Sequence, residues 1–130
     1  MSLALDLPRR RHRPAFIGLH VAAGAVLLSA AVVVALQAHT GLVPVLLFAV
    51  LPDAAFLLAI GQPHRPGQLA ARAVPAYNLL HHPLTPLVVL TVSLVAGPYW
   101  SVVALTWLAH IAFDRAAGYG LRNAEGWQRA

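Results

Sequence analysis

Four runs of apolar residues dominate the chain, and short polar or turn-forming segments separate them. They cover about residues 15–37, 42–60, 79–96 and 99–117. Each is close to the ~20 residues that an α-helix needs to cross a hydrocarbon core of ~30 Å. The pattern predicts an all-α polytopic membrane protein with four transmembrane helices. It comprises a basic segment 1–14, a membrane domain 15–120 and a tail 121–130.

The connections between the runs differ in length. A polar connection covers residues 61–78, and its centre, 68–74, is compatible with a short helix at the membrane interface. Residues 97 and 98, Gly-Pro, predict a tight turn between the third and fourth helices. In the first helix, Gly18 with Ala22 and Ala25 with Ser29 are small residues spaced by four, a pattern that permits close helix packing.

Composition supports the membrane assignment. Hydrophobic residues make up 59% of the chain and charged residues 10%, against about a quarter charged in an ordinary soluble domain. The net charge of +5 comes from short clusters between apolar runs, so it does not predict a nucleic-acid-binding face. Because there is no cysteine, disulfides, thiolate metal sites and cysteine nucleophiles are excluded.

The arginines predict the orientation. They lie before the first run, between the second and third runs, and after the fourth, while the other two connections have none. By the positive-inside rule, both termini and the connection containing Arg65 and Arg72 are expected in the cytoplasm. The predicted location is the inner (plasma) membrane, crossed several times.

Ionisable residues within the apolar runs are the candidate functional residues. Each costs ~2.5–3.5 kcal/mol to insert at the centre of a spanning helix, so a partner or a function is expected. Asp53 lies in the second run, His81 in the third, and His110 and Asp114 near the end of the fourth. The predicted topology places all of them in the cytoplasmic half. The spacings place His110 with Asp114, and Asn78 with His81, on shared helical faces.

Carboxylates and imidazoles from three helices predict two kinds of chemistry. Asp53, His81, His110 and Asp114 are suited to bind a divalent metal ion, and they are also suited to general acid–base catalysis. Asn78, Arg115 and Tyr119 are the expected supporting residues. An interfacial ion pair of Asp114 with Arg115 is a structural alternative, and His82, before Pro83, is expected to be a helix cap or a headgroup contact.

Three segments resemble the small bacterial integral-membrane family known as domain of unknown function 4260. They are Leu51-Pro52-Asp53, residues 76–81 (AYNLLH) and residues 107–121 (WLAHIAFDRAAGYGL). The likeness covers about residues 15–127. The residues that match the family pattern are Asp53, Asn78, His81, His110, Asp114, Arg115, Tyr119 and Gly120.

The resemblance implies a membrane fold and these residues, but no reaction. A looser likeness, of pattern only, is to membrane-embedded metal-dependent hydrolases. The chain departs from the family at Ala54, where a serine is usual, and in the tail. There Trp127 is followed by Gln128 and Arg129 instead of the usual Thr-His pair.

The functional hypothesis is a membrane-embedded enzyme acting on a lipid-like or apolar small molecule. Hydrolysis, isomerisation and cyclisation all fit the residues. A proton or cation carrier, and a non-catalytic membrane assembly protein, are the alternatives. The sequence contains no Gly-rich phosphate loop, no Gly-x-Ser-x-Gly and no His-Glu-x-x-His, so those mechanisms are not expected. The identity of any metal and the oligomeric state are left open.

Overall fold

The computed structural model describes residues 13–129, and that part of the chain is helical. One isolated bridge pairs Arg122 with Gln128, and residues 13–129 contain no strand. The helices, in order, are α1 Pro14–Gln37, α2 Val43–Phe48, a 3-10 helix Leu51–Ala59, a 3-10 turn Ala71–Ala73, α3 Val74–His81, α4 Leu84–Ala96 and α5 Pro98–Ala116. The all-α prediction is confirmed for these residues. The basic cluster at residues 9–12 lies outside them.

α1 is a continuous apolar helix of 24 residues. It begins at Pro14, whose missing N–H is no loss at the first helical position. Within residues 13–129 it is the one unbroken helix long and apolar enough to cross a membrane. The segments 71–81 and 84–96, bent by 42°, are a second candidate if they form one broken span. By length and composition the structure therefore contains one or two candidate spans, where the sequence predicted four.

The second apolar run is not the continuous helix 42–60 that was predicted. α2 ends at Phe48, and the chain resumes as the 3-10 helix Leu51–Ala59. Pro52 explains the break, because it has no N–H to donate four residues back and its ring clashes with the carbonyl there. Asp53 N–H instead donates three residues back, to Val50 O at 3.0 Å. The break places Asp53 in the first turn of the 3-10 helix.

The third run is also broken, so the prediction of one helix over 79–96 is wrong. α3 begins earlier, at Val74, and ends at His81. His82 is extended, with φ −86° and ψ 126°, as expected for a residue that precedes a proline. The predicted interfacial helix over 68–74 is reduced to the 3-10 turn Ala71–Ala73.

α5 is the central helix and lies close to its predicted bounds. It packs against α1, α2 and α4. Gly24 of α1 lies beside the ring of Phe113, and Ala35 lies in the apolar cluster that contains Val102, so α1 and α5 are antiparallel. The predicted small-residue pairs of α1 are exposed, and the buried α1 residues are Gly24, Ala31 and Ala35. The start of α1 and the end of α5 therefore lie at the same end of the bundle.

The segment after α5 folds back against the connection between the second and third runs. Arg129 N–H donates to Leu121 O at 2.9 Å and Asn123 N–H to Trp127 O at 2.8 Å, which makes 121–129 a small hairpin. Leu69 N–H donates to Gly126 O at 2.9 Å and ties the hairpin to the connection.

Candidate metal centre

Asp53, His81, His110 and Asp114 lie together at the end of the bundle where α5 ends. One nitrogen or oxygen atom of each lies within 4.8 Å of the corresponding atom of every other. Asp53 comes from the first turn of the 3-10 helix, His81 from the last turn of α3, and His110 and Asp114 from one face of α5. Residues that are far apart in sequence thus meet at one point. This agrees with the expectation that ionisable side chains in apolar runs have partners, because inserting them alone is costly.

Five of the six separations among the four ligand atoms are similar, and the sixth, between Asp53 and Asp114, is within 4.8 Å. His81 Nε2 lies 3.3 Å from Asp53 Oδ1 and 3.3 Å from Asp114 Oδ2. His110 Nε2 lies 3.6 and 3.5 Å from the same two atoms. The two Nε2 atoms are 3.4 Å apart.

Backbone carbonyls fix the tautomer that each ring has when it is neutral. His81 Nδ1 lies 2.9 Å from Tyr77 O, and His110 Nδ1 lies 2.8 Å from Ala49 O. A carbonyl oxygen can only accept, so each Nδ1 carries the hydrogen, and each Nε2 of a neutral ring presents a lone pair. With neutral rings and ionised carboxylates, two imidazole lone pairs and two carboxylate oxygens face one another, and a cation among them would stabilise this arrangement.

The distances within the cluster are compatible with ligands around a small metal ion. Charge-assisted N–H···O bonds are about 2.7–2.9 Å long, shorter than all four nitrogen–oxygen distances here. Ligands about 2.0–2.1 Å from a tetrahedral Zn²⁺ are separated by roughly 3.3 Å. The five distances of 3.3–3.6 Å match that geometry.

The charges also suit a divalent cation. Two carboxylates would neutralise a 2+ ion, so the complete group would carry no net charge, which lowers the cost of its partial burial. In metal sites, a histidine ligand usually donates its second N–H to a carbonyl or carboxylate, as both rings do here. The ring of Tyr77 stacks on His81 at 4.0 Å between centroids and keeps that ring in place.

Two cavities adjoin the cluster, and Asp114 lines both. One, of about 370 Å³, is also lined by Asp53, Phe56, Tyr77, Tyr119 and Arg122. The other, of about 190 Å³, is largely apolar and lies between α1 and α5. The Asp53 side chain is 46% exposed and that of Asp114 26%, whereas those of the histidines are 2% and 8% exposed. The cluster is thus closed on its histidine side and open on its carboxylate side.

The supporting residues predicted from the sequence lie around the cluster and do not enter it. Asn78 pairs with the backbone of Arg122, its Oδ1 accepting from N–H and its Nδ2 donating to O, both at 2.8 Å. Arg115 Nη2 donates to His81 O at 3.2 Å and so holds the end of α3. Tyr119 lines the larger cavity. Asn78 and Arg115 position the backbone of the site.

Outside this group, His82 caps a helix, as expected, since its Nδ1 accepts from Leu84 N–H at 3.2 Å. His20 contacts Phe16 O on α1, away from the cluster.

Two residues near the site were not predicted. Arg122 lies in the tail 121–130 and nothing in the sequence marks it out. Thr106 is an ordinary helix residue in sequence, although its hydroxyl is buried without a hydrogen-bond partner. The four-residue spacing of Thr106 and His110 was the available signal.

Comparison with known proteins places the chain in a family but not in a reaction class. No curated protein and no solved structure matches it. The family described as Domain of unknown function (DUF4260) matches residues 18–130, which include all four clustered side chains. The chain belongs to the DUF4260 family.

Proposed function

We propose that this protein is a membrane-embedded enzyme with a divalent metal ion held by Asp53, His81, His110 and Asp114. The observation that carries the proposal is the convergence of two imidazole nitrogens and two carboxylate oxygens, with five of their six separations at the spacing of tetrahedral ligands. The mixed imidazole and carboxylate set favours Zn²⁺, Fe²⁺ or Mn²⁺ over a cation bound by oxygen alone.

The membrane part of the proposal rests on what the helices expose. Large apolar side chains lie on the surface of every α-helix and of the 3-10 helix Leu51–Ala59, among them Val26 at 69%, Leu57 at 66% and Val95 at 91% exposure. A soluble monomer rarely exposes so much contiguous apolar surface. In this proposal all four apolar runs lie in the bilayer, the second and third as broken segments. Irregular backbone is tolerated there where protein buries it.

The proposed orientation places the cluster in the cytoplasmic half. The connection at 61–73 and the segment after α5, both containing arginine, lie at the cluster's end of the bundle. Reporter fusions are expected to place both termini and this connection inside, and residues 39 and 98 outside. An external C-terminus would overturn the orientation and leave the cluster intact.

The proposed chemistry acts on a lipid-like or apolar substrate that reaches the centre from the bilayer. A bound divalent ion lowers the pKa of a coordinated water towards neutrality and polarises a substrate oxygen. Because four protein ligands fill a tetrahedral site, that water or oxygen would bind as a fifth ligand on the open carboxylate side, next to the larger cavity. Metal-assisted hydrolysis is the reaction class that this arrangement supports best. Isomerisation or cyclisation uses the same residues as acid and base.

Metal analysis of the purified protein tests the site. The protein is solubilised in neutral detergent, exposed under anaerobic conditions to equal concentrations of Zn²⁺, Mn²⁺, Fe²⁺ and Mg²⁺, and then desalted. It is expected to retain about one transition-metal ion per chain. His110→Gln should retain little, whereas His64→Gln, which changes an exposed loop histidine, should equal the wild type. X-ray absorption should show only nitrogen and oxygen ligands. Equal metal content in both variants would refute the assignment.

Chromosomal replacement tests catalysis. Cells with Asp53→Asn or His110→Gln are expected to accumulate the same lipid-extractable compound, because loss of an acid–base or ligand group lowers activity by about a hundredfold or more. Glu125→Gln, at an exposed carboxylate of the hairpin, is the matched control. Unchanged lipid extracts in both site variants, at normal protein abundance, would favour a non-catalytic assembly protein.

A further inference from the structure

Arg122 is a buried cation without an anionic partner in the described chain. The residue is 7% exposed. Its Nη1 donates to the backbone oxygens of Gly67 at 2.9 Å and Gly126 at 3.1 Å, and its buried Nε has no hydrogen-bond partner. No carboxylate of residues 13–129 forms an ion pair with it. Because a buried charge is costly unless it is paired, this arginine has unused capacity for an anion.

The surroundings hold Arg122 in place. The Asn78 amide binds its backbone on both sides, at 2.8 Å each. The guanidinium lies 5.6 Å from the ring centroid of Tyr77, the residue whose carbonyl fixes the tautomer of His81. The same short helix, α3, therefore positions both a ligand of the proposed metal and the arginine. Such prior ordering lowers the entropy cost of binding a ligand.

Arg122 and the carboxylates of the cluster line one cavity, of about 370 Å³. With a divalent ion bound, Asp53 and Asp114 are neutralised, and Arg122 leaves a net positive charge beside the metal. A guanidinium matches the geometry of phosphate and carboxylate oxygens. The apolar cavity on the other side of Asp114, lined by Leu28 and Phe113, suits a hydrocarbon chain.

We propose that the substrate is an amphiphile whose phosphate or carboxylate group binds Arg122 in the larger cavity, next to the metal centre. This inference rests on the proposed function, since without the metal the two carboxylates would repel an anion. It narrows the substrate class from apolar molecules in general to anionic lipids.

Binding of three small amphiphiles to the zinc-loaded wild-type protein tests the proposal. Hexyl phosphate, heptanoate and hexanol have similar chains and differ in their polar groups. Isothermal titration in neutral detergent is expected to show one or both anions binding roughly tenfold to a hundredfold more tightly than hexanol, the range for hydrogen bonds to a charged group. The stronger anion identifies phosphate or carboxylate as the group that is bound. Equal affinities for all three would overturn the proposal.

Variants assign the preference to Arg122. Arg122→Gln should retain zinc and lose the preference for anions, whereas Arg72→Gln, at an exposed arginine, should retain both. Since Arg122 also binds two backbone carbonyls, Arg122→Lys is the second variant if the glutamine variant does not fold. It keeps the charge and should weaken anion binding several-fold, because the bidentate geometry is lost.

Zinc content separates the two proposals. A variant at Arg122 that retains zinc and binds hexyl phosphate and heptanoate as the wild type does would overturn the anion site alone. Absence of metal from the wild type would overturn the proposed function and, with it, this inference.

Discussion

Replacing Asp53 with Asn should reverse the order of stability of the two proteins when zinc is added. Asn keeps the size of the side chain but removes a carboxylate from a group of four acceptors. In chelator the four facing atoms act as acceptors and repel one another, since the Nδ1–H of each ring is directed at a backbone carbonyl. Asp53→Asn then relieves this repulsion, and the new side-chain amide can donate a hydrogen bond to a neighbouring acceptor. Since the Asp53 side chain is 46% exposed, we expect a gain of about 1 kcal/mol, at the low end for an unsatisfied polar group.

Zinc should reverse the sign of the stability difference between Asp53→Asn and the wild type. At a concentration about 100 times its Kd for the wild type, a ligand that binds only the folded state stabilises it by ~2.7 kcal/mol. Mutation of a group that only hydrogen-bonds to a metal ligand weakens metal binding by up to about a hundredfold, and we expect loss of a ligand itself to weaken it by roughly that factor. At the same zinc concentration, zinc then stabilises the variant by only ~0.4 kcal/mol. The wild type should then be more stable by about 1.3 kcal/mol. For a domain of this length, that is a difference in Tm of roughly 4–6 °C.

Thermal unfolding in neutral detergent, followed by tryptophan fluorescence, measures which of the two proteins is more stable in chelator and which is more stable with zinc. Glu125→Gln makes the same chemical change at an exposed carboxylate and should follow the wild type with and without zinc. If Asp53→Asn is the less stable protein in chelator, or if zinc raises both midpoints equally, then the four acceptors do not form a cation site.

Three further substitutions test the packing around the site. Gly24→Ala should destabilise the protein by about 1–3 kcal/mol, since the new Cβ would lie 2.8–2.9 Å from the Phe113 ring. Gly18→Ala, with nothing within 4 Å of the new Cβ, should be neutral or slightly stabilising. Equal melting midpoints for the two variants would refute the packing of α1 on α5. Gly126→Ala should release the hairpin, because its φ is +93° and its Cβ would overlap a backbone carbonyl, and faster proteolysis after α5 is the readout. Thr106→Val should raise Tm by a few degrees, because it removes a buried hydroxyl without a partner; a fall would show that the hydroxyl is bound.

The sequence predicted the clustered residues well because their signal is energetic. Asp53 and Asp114 are costly in an apolar run wherever the helices lie, and the expected meeting with His81 and His110 followed from that cost. The breaks in the second and third runs were not predictable in the same way. Prolines are tolerated in spanning helices, so Pro52 alone does not determine whether a run bends, continues or ends.

The sequence also did not predict which face of α1 packs against α5 or which distant residues meet in the folded chain. Spacing by four identified small residues on α1, but several faces of an alanine-rich helix show that spacing, and the structure uses Gly24 rather than Gly18. Arg122 looked like one of several basic tail residues. Its burial depends on the hairpin returning to Asn78, a contact between residues that no local pattern relates.

The antiparallel packing of α1 and α5, the first and last helices, has a consequence for biogenesis. Asp53 and His81 are synthesised before His110 and Asp114, so half of the clustered side chains leave the ribosome before their partners exist. At that stage Asp53 and His81 can form only a single pair. Docking of α5 against α1 and α4 adds the other two side chains. Completion of the last helix is therefore the step at which the proposed metal site is assembled, and binding of an ion before that step would have to rely on two ligands.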